Sequence, residues 1–265
     1  MRFFVENIDG KTITIEGSEA HHIKNVLRKK TGDAVFLFDG KGNEYKAEIV
    51  SIPCRGDFSR PASSVKLKIV TKTKKDTEPK IKINLYQSIP KLKKFDFIIE
   101  KSTELGVSKI IPVISERTQF VILSPANSGI NSAKNLKKLN RWQKIALSAS
   151  KQCGRTVVPE ICSVTNFQDA VKSVCAGENP SKSISLIPWE CEQKNTLKTV
   201  LQSNSLISNL LSLNLFIGPE GGFSNSEIEL ACKYGVIPVT LGKRVLRSET
   251  APIVVISNIL YEWEG

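Results

Sequence analysis

The chain has 265 residues, enough for one or two domains with cores of their own. Its 38 Lys and Arg against 26 Asp and Glu leave a formal charge of +12, which favours a polyanionic partner, nucleic acid first among them. No apolar run reaches the ~18 residues of a membrane span, the start Met1-Arg2-Phe3-Phe4-Val5-Glu6 lacks a signal-peptide core, and the scattered Cys54, Cys153, Cys162, Cys175, Cys191 and Cys232 with His21 and His22 form no zinc-ligand pattern, so a cytoplasmic protein with free thiols, no metal and no membrane is expected.

Residues 1–73 read as a small β-rich domain. Strands are expected at Arg2–Val5, Lys11–Ile15, Ala34–Phe38, Glu44–Ser51 and Val65–Thr71, with Asp9-Gly10 and Asp39-Gly40 as hairpin-type turns. One helix, Glu19–Lys30, interrupts them, with Ser18 as N-cap and Ile23, Val26 and Leu27 on its inner face. Arg28, Lys29 and Lys30 at its end either complement the helix dipole or contact phosphate. Polar, charged residues from Thr71 to Lys80 mark a boundary, and a linker is expected over 74–80.

From residue 81 to 265 the pattern is α/β. Strands are expected at Lys82–Gln87, Lys109–Ile114 and Ile184–Ile187. A helix from Pro90 to Leu105 turns Leu92, Phe95, Ile98, Ile99 and Leu105 inward, leaves Lys91, Lys93, Lys94 and Lys101 toward the exposed side, and stops at Gly106. Residues 120–132 read as loop. A long helix, Ser132–Gln152, carries an inner stripe of Leu136, Leu139, Trp142, Ile145, Ala146 and Ala149 under a basic exterior. Residues 191–214 are polar and carry no signal. The last helix, Pro252 to Trp263, is apolar over more than one stripe and suits either a core or a second chain.

Two strand-to-helix junctions stand out. An apolar run, Leu213–Ile217, stops at Gly218-Pro219-Glu220-Gly221-Gly222-Phe223, and Ser224 with Glu227 then spells a capping box. Glycines at 218, 221 and 222 are free to take positive φ and admit a ligand to the backbone. The loop lacks the Lys-Ser/Thr of a P-loop and the spacing of a dinucleotide fingerprint, and Glu220 opposes a polyphosphate. A neutral or cationic ligand read by backbone groups fits better, with Glu220 facing it or bracing the loop. The second junction is a strand at Val236–Leu241, then Gly242-Lys243-Arg244-Val245-Leu246-Arg247-Ser248-Glu249-Thr250-Ala251-Pro252, where Ser248 or Thr250 suits the cap and Pro252 the first turn. Two such loops suggest neighbours at one edge of a parallel sheet.

On Ile217–Phe223 and Leu241–Ala251 the chain resembles the ribosomal RNA small subunit methyltransferase E family, of the SPOUT class of knotted methyltransferases. Glu100–Val107, Glu116-Arg117 and Gln152-Cys153-Gly154-Arg155 also fit that family, although Lys151 stands where it carries an acidic residue. The resemblance implies a PUA-like RNA-binding β-barrel followed by an α/β domain with a mostly parallel sheet and a C-terminal trefoil knot, assembled as a homodimer. It implies S-adenosylmethionine as methyl donor and N3 of one uridine in 16S rRNA as acceptor. A protein of the same fold that binds RNA without transferring methyl is the alternative. Carried over residue by residue, it assigns Ile187, Ile217, Gly218, Pro219, Glu220, Gly221, Gly222, Leu241, Gly242, Val245 and Leu246 to the donor. Arg2, His22, Arg28, Arg117 and Arg155 go to RNA, and Arg117 is equally suited to an ion pair with Glu104. Because uracil N3 is a poor nucleophile until its proton leaves, Arg247 is expected to steady the uracil anion and Glu249 to orient it or take part in proton removal. An Arg247–Glu249 structural brace is the other reading.

Overall fold

The structure, a computed structural model, describes residues 2–8, 10–52, 64–91, 94–119, 133–176, 180–203 and 210–264. Expectations for Cys54, Leu92, Lys93 and the loop at 120–132 lie outside the described residues. The chain forms two compact units, residues 1–78 with 150–158, and residues 79–149 with 159–265.

In the first unit, strands β1 (Arg2–Phe4), β2 (Thr12–Glu16), β3 (Ala34–Phe38), β4 (Asn43–Ser51) and β5 (Ser64–Lys74) pair in the order β1-β3-β4-β5-β2, antiparallel except for β1 with β3. Alternate residues of each strand turn inward, so Phe3, Ile15, Val35, Leu37, Tyr45, Ala47, Ile49, Val65 and Leu67 make one core. Asp39 holds the β3–β4 turn by accepting from the Lys41 amide at 2.8 Å and the Asn43 side chain at 2.6 Å. Burial pushes its carboxyl up, but those bonds and one from Tyr45 outweigh it and hold it below the ordinary range. Strand β5 runs on to Lys74, so residues 71–74 are strand rather than boundary; their partners in β4 override the polar composition.

The helix of this unit differs from its expectation. Helix α1 is short, Gly17–His21, and its cap is Glu16, not Ser18. It runs into a π-helical turn, His22–Val26, closed by a bond from the Leu27 amide to the His22 carbonyl at 2.9 Å. The extra residue in that turn slips the face. Ile23 stays buried while Val26 is 62% exposed. Arg28 then takes φ 51 directly after the Leu27 cap, and the Lys29 amide bonds back to the Ile23 carbonyl at 3.1 Å, so Arg28–Lys30 lie just past the helix end rather than in its last turn.

The second unit holds strands β6 (Lys82–Ser88), β7 (Lys109–Ile114), β8 (Glu160–Ile161), β9 (Thr165–Asn166), β10 (Ser183–Pro188), β11 (Ser212–Ile217) and β12 (Ile237–Val239) in one all-parallel sheet. The order is β12-β10-β11-β6-β7-β8, with β9 also on β7. Its helices are α2 (Lys94–Glu104), α3 (Ala133–Cys153), α4 (Phe167–Cys175), α5 (Leu197–Leu201), α6 (Asn225–Lys233) and α7 (Ala251–Glu264), the last turn of α3 being counted with the first unit. Strands buried on both faces read as unbroken apolar runs, yet one polar rung crosses the middle. Asn84 donates to Asn214 at 3.0 Å and Asn214 to Ser185 at 3.1 Å, in register across β6, β11 and β10. A slip by one residue would strand those groups without partners, which pins the register.

One layer packs α4 and α6 on the sheet through Phe167, Val171, Phe216, Phe223, Ile228 and Val236. Opposite it, α2 packs against α7, and Phe95 of α2 meets Trp142 of α3 at 4.5 Å. Gly106 ends α2 in a Schellman turn, at φ +87, with the Val107 amide on the Ser102 carbonyl and the Gly106 amide on the Thr103 carbonyl, both at 3.1 Å. Trp142, Ala146 and Ala149 are buried as expected, but Leu136, nearly two turns before Trp142, is 48% exposed. Glu104 pairs with Lys101 at 2.9 Å, not with Arg117. Among the described residues no helix is long and apolar enough to cross a membrane.

Candidate active site

Strands β12, β10 and β11 lie side by side and run the same way, so the loops leaving their carboxyl ends open on one edge. The two loops singled out by sequence therefore flank a third, after β10. Between them lies a cleft of about 1040 Å³, lined by residues 188–190, 217–223 and 240–248 with Lys94 and others. Its volume is of the size that holds a small-molecule cofactor.

The first loop is tightly built. Of its three glycines only Gly222 has positive φ, +66, and its amide closes a turn on the Pro219 carbonyl at 3.0 Å. The others serve close packing. A Cβ at Gly218 would sit 3.2 Å from the Phe223 ring, and one at Gly221 would sit 3.4 Å from Arg117. At Gly222 it would meet both Glu190 carboxylate oxygens at 3.0 Å. The Arg117 guanidinium donates to the Gly221 carbonyl at 2.8 Å and ties the loop to the end of β7. Downstream, the capping box forms as expected. Its Glu227 also accepts from the Glu116 amide at 2.8 Å, and Ser224 donates to Glu116 at 2.5 Å.

Glu220 braces this loop. Its Oε1 accepts from the Lys91 amide at 3.1 Å and lies 3.4 Å from the Lys94 ammonium. Burial pushes its pKa up, but the loop's own amide, the Lys91 amide and Lys94 prevail and hold it below the ordinary carboxylate range.

The second loop is open. Gly242 has φ +103 with nothing near its missing Cβ, and Lys243, Arg244 and Arg247 are exposed while Val245 is 81% exposed. Its anchor is Ser248, a residue expected as a helix cap. Buried, it donates instead to the Gly218 carbonyl at 2.7 Å and accepts from the Gln87 side chain at 3.3 Å, so the two loops meet directly.

The expected donor residues 217–222, 241, 242, 245 and 246 all line the cleft. Ile187 does not: it is fully buried beneath, and Pro188 reaches the surface in its place. Arg247 lines the cleft, and its guanidinium has no hydrogen bond or ion pair among the described residues. Glu249 is not in the lining and does not brace Arg247; it lies 3.1 Å from Lys94. Lys94, read from sequence as a solvent-side lysine, thus joins Glu220 to Glu249. Nothing local marks it, because both partners are more than a hundred residues away.

The residues expected at RNA divide. Arg117 serves the glycine loop, as above. Within the first unit, Arg2 pairs with Glu44 at 2.5 Å and with the Gly154 carbonyl. Arg155 is 3% exposed, and its Nε donates to Glu78 at 3.1 Å. A buried, paired guanidinium is a structural group, and it does not present a charge to phosphate. Lys151, the family's departure, meets Glu19. His22 is half-buried, edge-on to Phe3 at 6.0 Å, and Arg28 is exposed.

Comparison with known proteins agrees with this geometry. Residues 77–260 match the family described as RNA methyltransferase domain, and residues 15–53 match RNA methyltransferase PUA domain. The chain is 31% identical to Ribosomal RNA small subunit methyltransferase E of Bacillus subtilis, over 99% of this chain and 97% of that protein. It is 33% identical to the protein of the same name from Buchnera aphidicola, over 90% and 83%. Its fold is similar to a Neisseria gonorrhoeae Ribosomal RNA small subunit methyltransferase E solved bound to S-adenosyl methionine, with TM-score 0.80 and 30% identity over 99% and 97% of the two chains.

Proposed function

Since the chain belongs to the ribosomal RNA small subunit methyltransferase E family, we propose that it methylates N3 of one uridine in 16S rRNA, with S-adenosylmethionine as donor. The observation that carries this reading is the convergence of three strand-end loops on one cleft that pairs a preformed glycine loop with Arg247, an arginine unpaired among the described residues.

The residues fit the donor. At Gly222 the missing side chain lets the Glu190 carboxylate pack against the loop backbone, which brings a negative charge to the donor loop. Glu190 and Glu192 place carboxylates in the lining, which suits a cationic sulfonium and repels a polyphosphate. When bound, S-adenosylmethionine supplies an electrophilic methyl carbon. Residues 217–222, 241, 242, 245 and 246 hold and orient it through backbone and apolar contacts. Arg247 stabilises the negative charge that spreads to the uracil oxygens as the N3 proton passes to solvent water. Glu249, outside the lining, acts through Lys94 and orients rather than abstracts.

Lys243 and Arg244, exposed on the second loop, and Arg28 in the first unit contribute to holding the RNA backbone. The SPOUT knot, a homodimer and a cytoplasmic setting complete the reading. In its support, the chain passes from β11 to β12 across the intervening β10, and α7 leaves Tyr261 exposed.

Mass spectrometry of 16S rRNA from a deletion strain, with and without rescue by this chain, tests the proposal. The expected result is one N3-methyluridine that disappears on deletion and returns on rescue. An unchanged modification pattern overturns it.

A further inference from the structure

Lys94 sits where the two loops are coupled. It opens α2, its Nζ lies 3.4 Å from Glu220 Oε1 and 3.1 Å from Glu249 Oε2, and it lines the cleft. The two carboxylates belong to the two different loops, and through Lys94 they are held no more than about 6.5 Å apart, a spacing at which like charges repel. An ammonium between them reverses the sign of that interaction. The same helix start also gives Glu220 the Lys91 amide. Glu249 stands two residues after Arg247 and one after Ser248, the group bonded to the Gly218 carbonyl. Any shift of Glu249 therefore moves Arg247 relative to the glycine loop. Hydrogen bonding to Glu249, opposed by desolvation and aided by Glu220, holds Lys94 above the ordinary lysine range, so its ammonium is charged at neutral pH.

We propose that Lys94 is a positioning residue for methyl transfer, an ionic tie that sets Arg247 on the second loop against the donor-binding first loop. It acts through Glu220 and Glu249. The inference rests on the methyltransferase reading for its catalytic consequence, while the tie itself is separately measurable.

The test compares Lys94→Met, which keeps length without charge, with Lys94→Arg. Hydrogen exchange on the protein without RNA is read first. Lys94→Met should speed exchange about tenfold both at the amides of 218–223 and at those of 245–250, leaving β6 and β11 unchanged, with Lys94→Arg close to wild type. In turnover with 16S rRNA, Lys94→Met should lower kcat about 30-fold, shift the donor dissociation constant less than about threefold, and be rescued by Lys94→Arg. The tie is overturned if exchange changes in neither loop or in one alone. A positioning role is overturned if both loops loosen and kcat stays at the wild-type value. If the wild type transfers no methyl group at all, the methyltransferase reading falls, and the exchange result still decides whether Lys94 couples the loops.

Discussion

The loop after β11 and the loop after β12 look alike in sequence, each a strand end, a glycine, charges and a helix start. In the structure they are opposites. The first is secured by Arg117, Lys91, Lys94, Phe223 and a completed capping box. The second projects Lys243, Arg244, Val245 and Arg247 with Ser248 as its anchor. Transfer chemistry needs both kinds. A donor loop gains from being formed before the ligand arrives, since no ordering entropy is then lost on binding. In the proposed reading the second loop, which also lines the donor cleft, leaves Arg247 exposed to meet a large polyanion.

Substitutions at the glycines press this contrast hardest. Gly222→Val combines a left-handed φ with a clash against Glu190, and donor affinity should fall about 100-fold by calorimetry. Gly242→Ala has strained φ but open space, so its loss should stay near tenfold or below. Equal losses at both would erase the distinction.

Arg247→Ala should lower kcat about 30-fold, with the melting temperature within about 2 °C of wild type, because the side chain is exposed and has no polar partner to lose among the described residues. Removing the joint between the loops is a stability experiment. Ser248→Ala leaves the Gly218 carbonyl and Gln87 without their buried partner and should cost about 1–2 kcal/mol in urea unfolding. Ser224→Ala, which breaks the cap of α6, should cost about 1 kcal/mol.

Lys243→Ala with Arg244→Ala should weaken RNA binding uniformly across sequences and flatten its salt dependence by about one unit of slope per charge, leaving donor affinity as it was. The smallest effect concerns acid. Glu220 has a depressed folded pKa, so the stability it contributes is present above its ordinary 4.5 and is lost as pH falls through the lower folded value. Glu220→Gln should narrow the stability gap to wild type as pH drops below about 4.5, and a gap independent of pH would argue against the brace.

Much of the fold was legible. Apolar runs gave β6, β7, β10 and β11, and alternation gave the strands of the first unit, because burial on two faces or one leaves a direct mark on composition. Local grammar placed the Ser224–Glu227 box and the Gly106 stop. Short elements escaped: β8 and β9 are two residues each and are stabilised by β7 rather than by their own sequence. The helix after Glu16 went wrong because a π turn shifts the register without changing any residue, which turned Val26 outward.

Among site residues the split has the same cause. Lining by Ile217–Gly222 and by Leu241, Gly242, Val245 and Leu246 followed from contiguous loop motifs. Ile187 was one residue too deep, since it is the last residue of β10 to point fully into the core. Charged groups were the least readable. Arg155, Arg117, Lys94 and Glu249 each find a partner far along the chain, and a side chain's charge says nothing about which opposite charge the fold will bring to it.

By itself the sequence determined the longer elements, the two glycine junctions and the family, because periodicity, capping and ordered motifs are written in neighbouring residues. Only the tertiary structure decided that β10 lies between the two junction strands, that Ser248 joins the loops rather than capping a helix, and that Lys94 sits between two carboxylates. Those outcomes depend on strand order and through-space distance, which no local stretch of chain encodes.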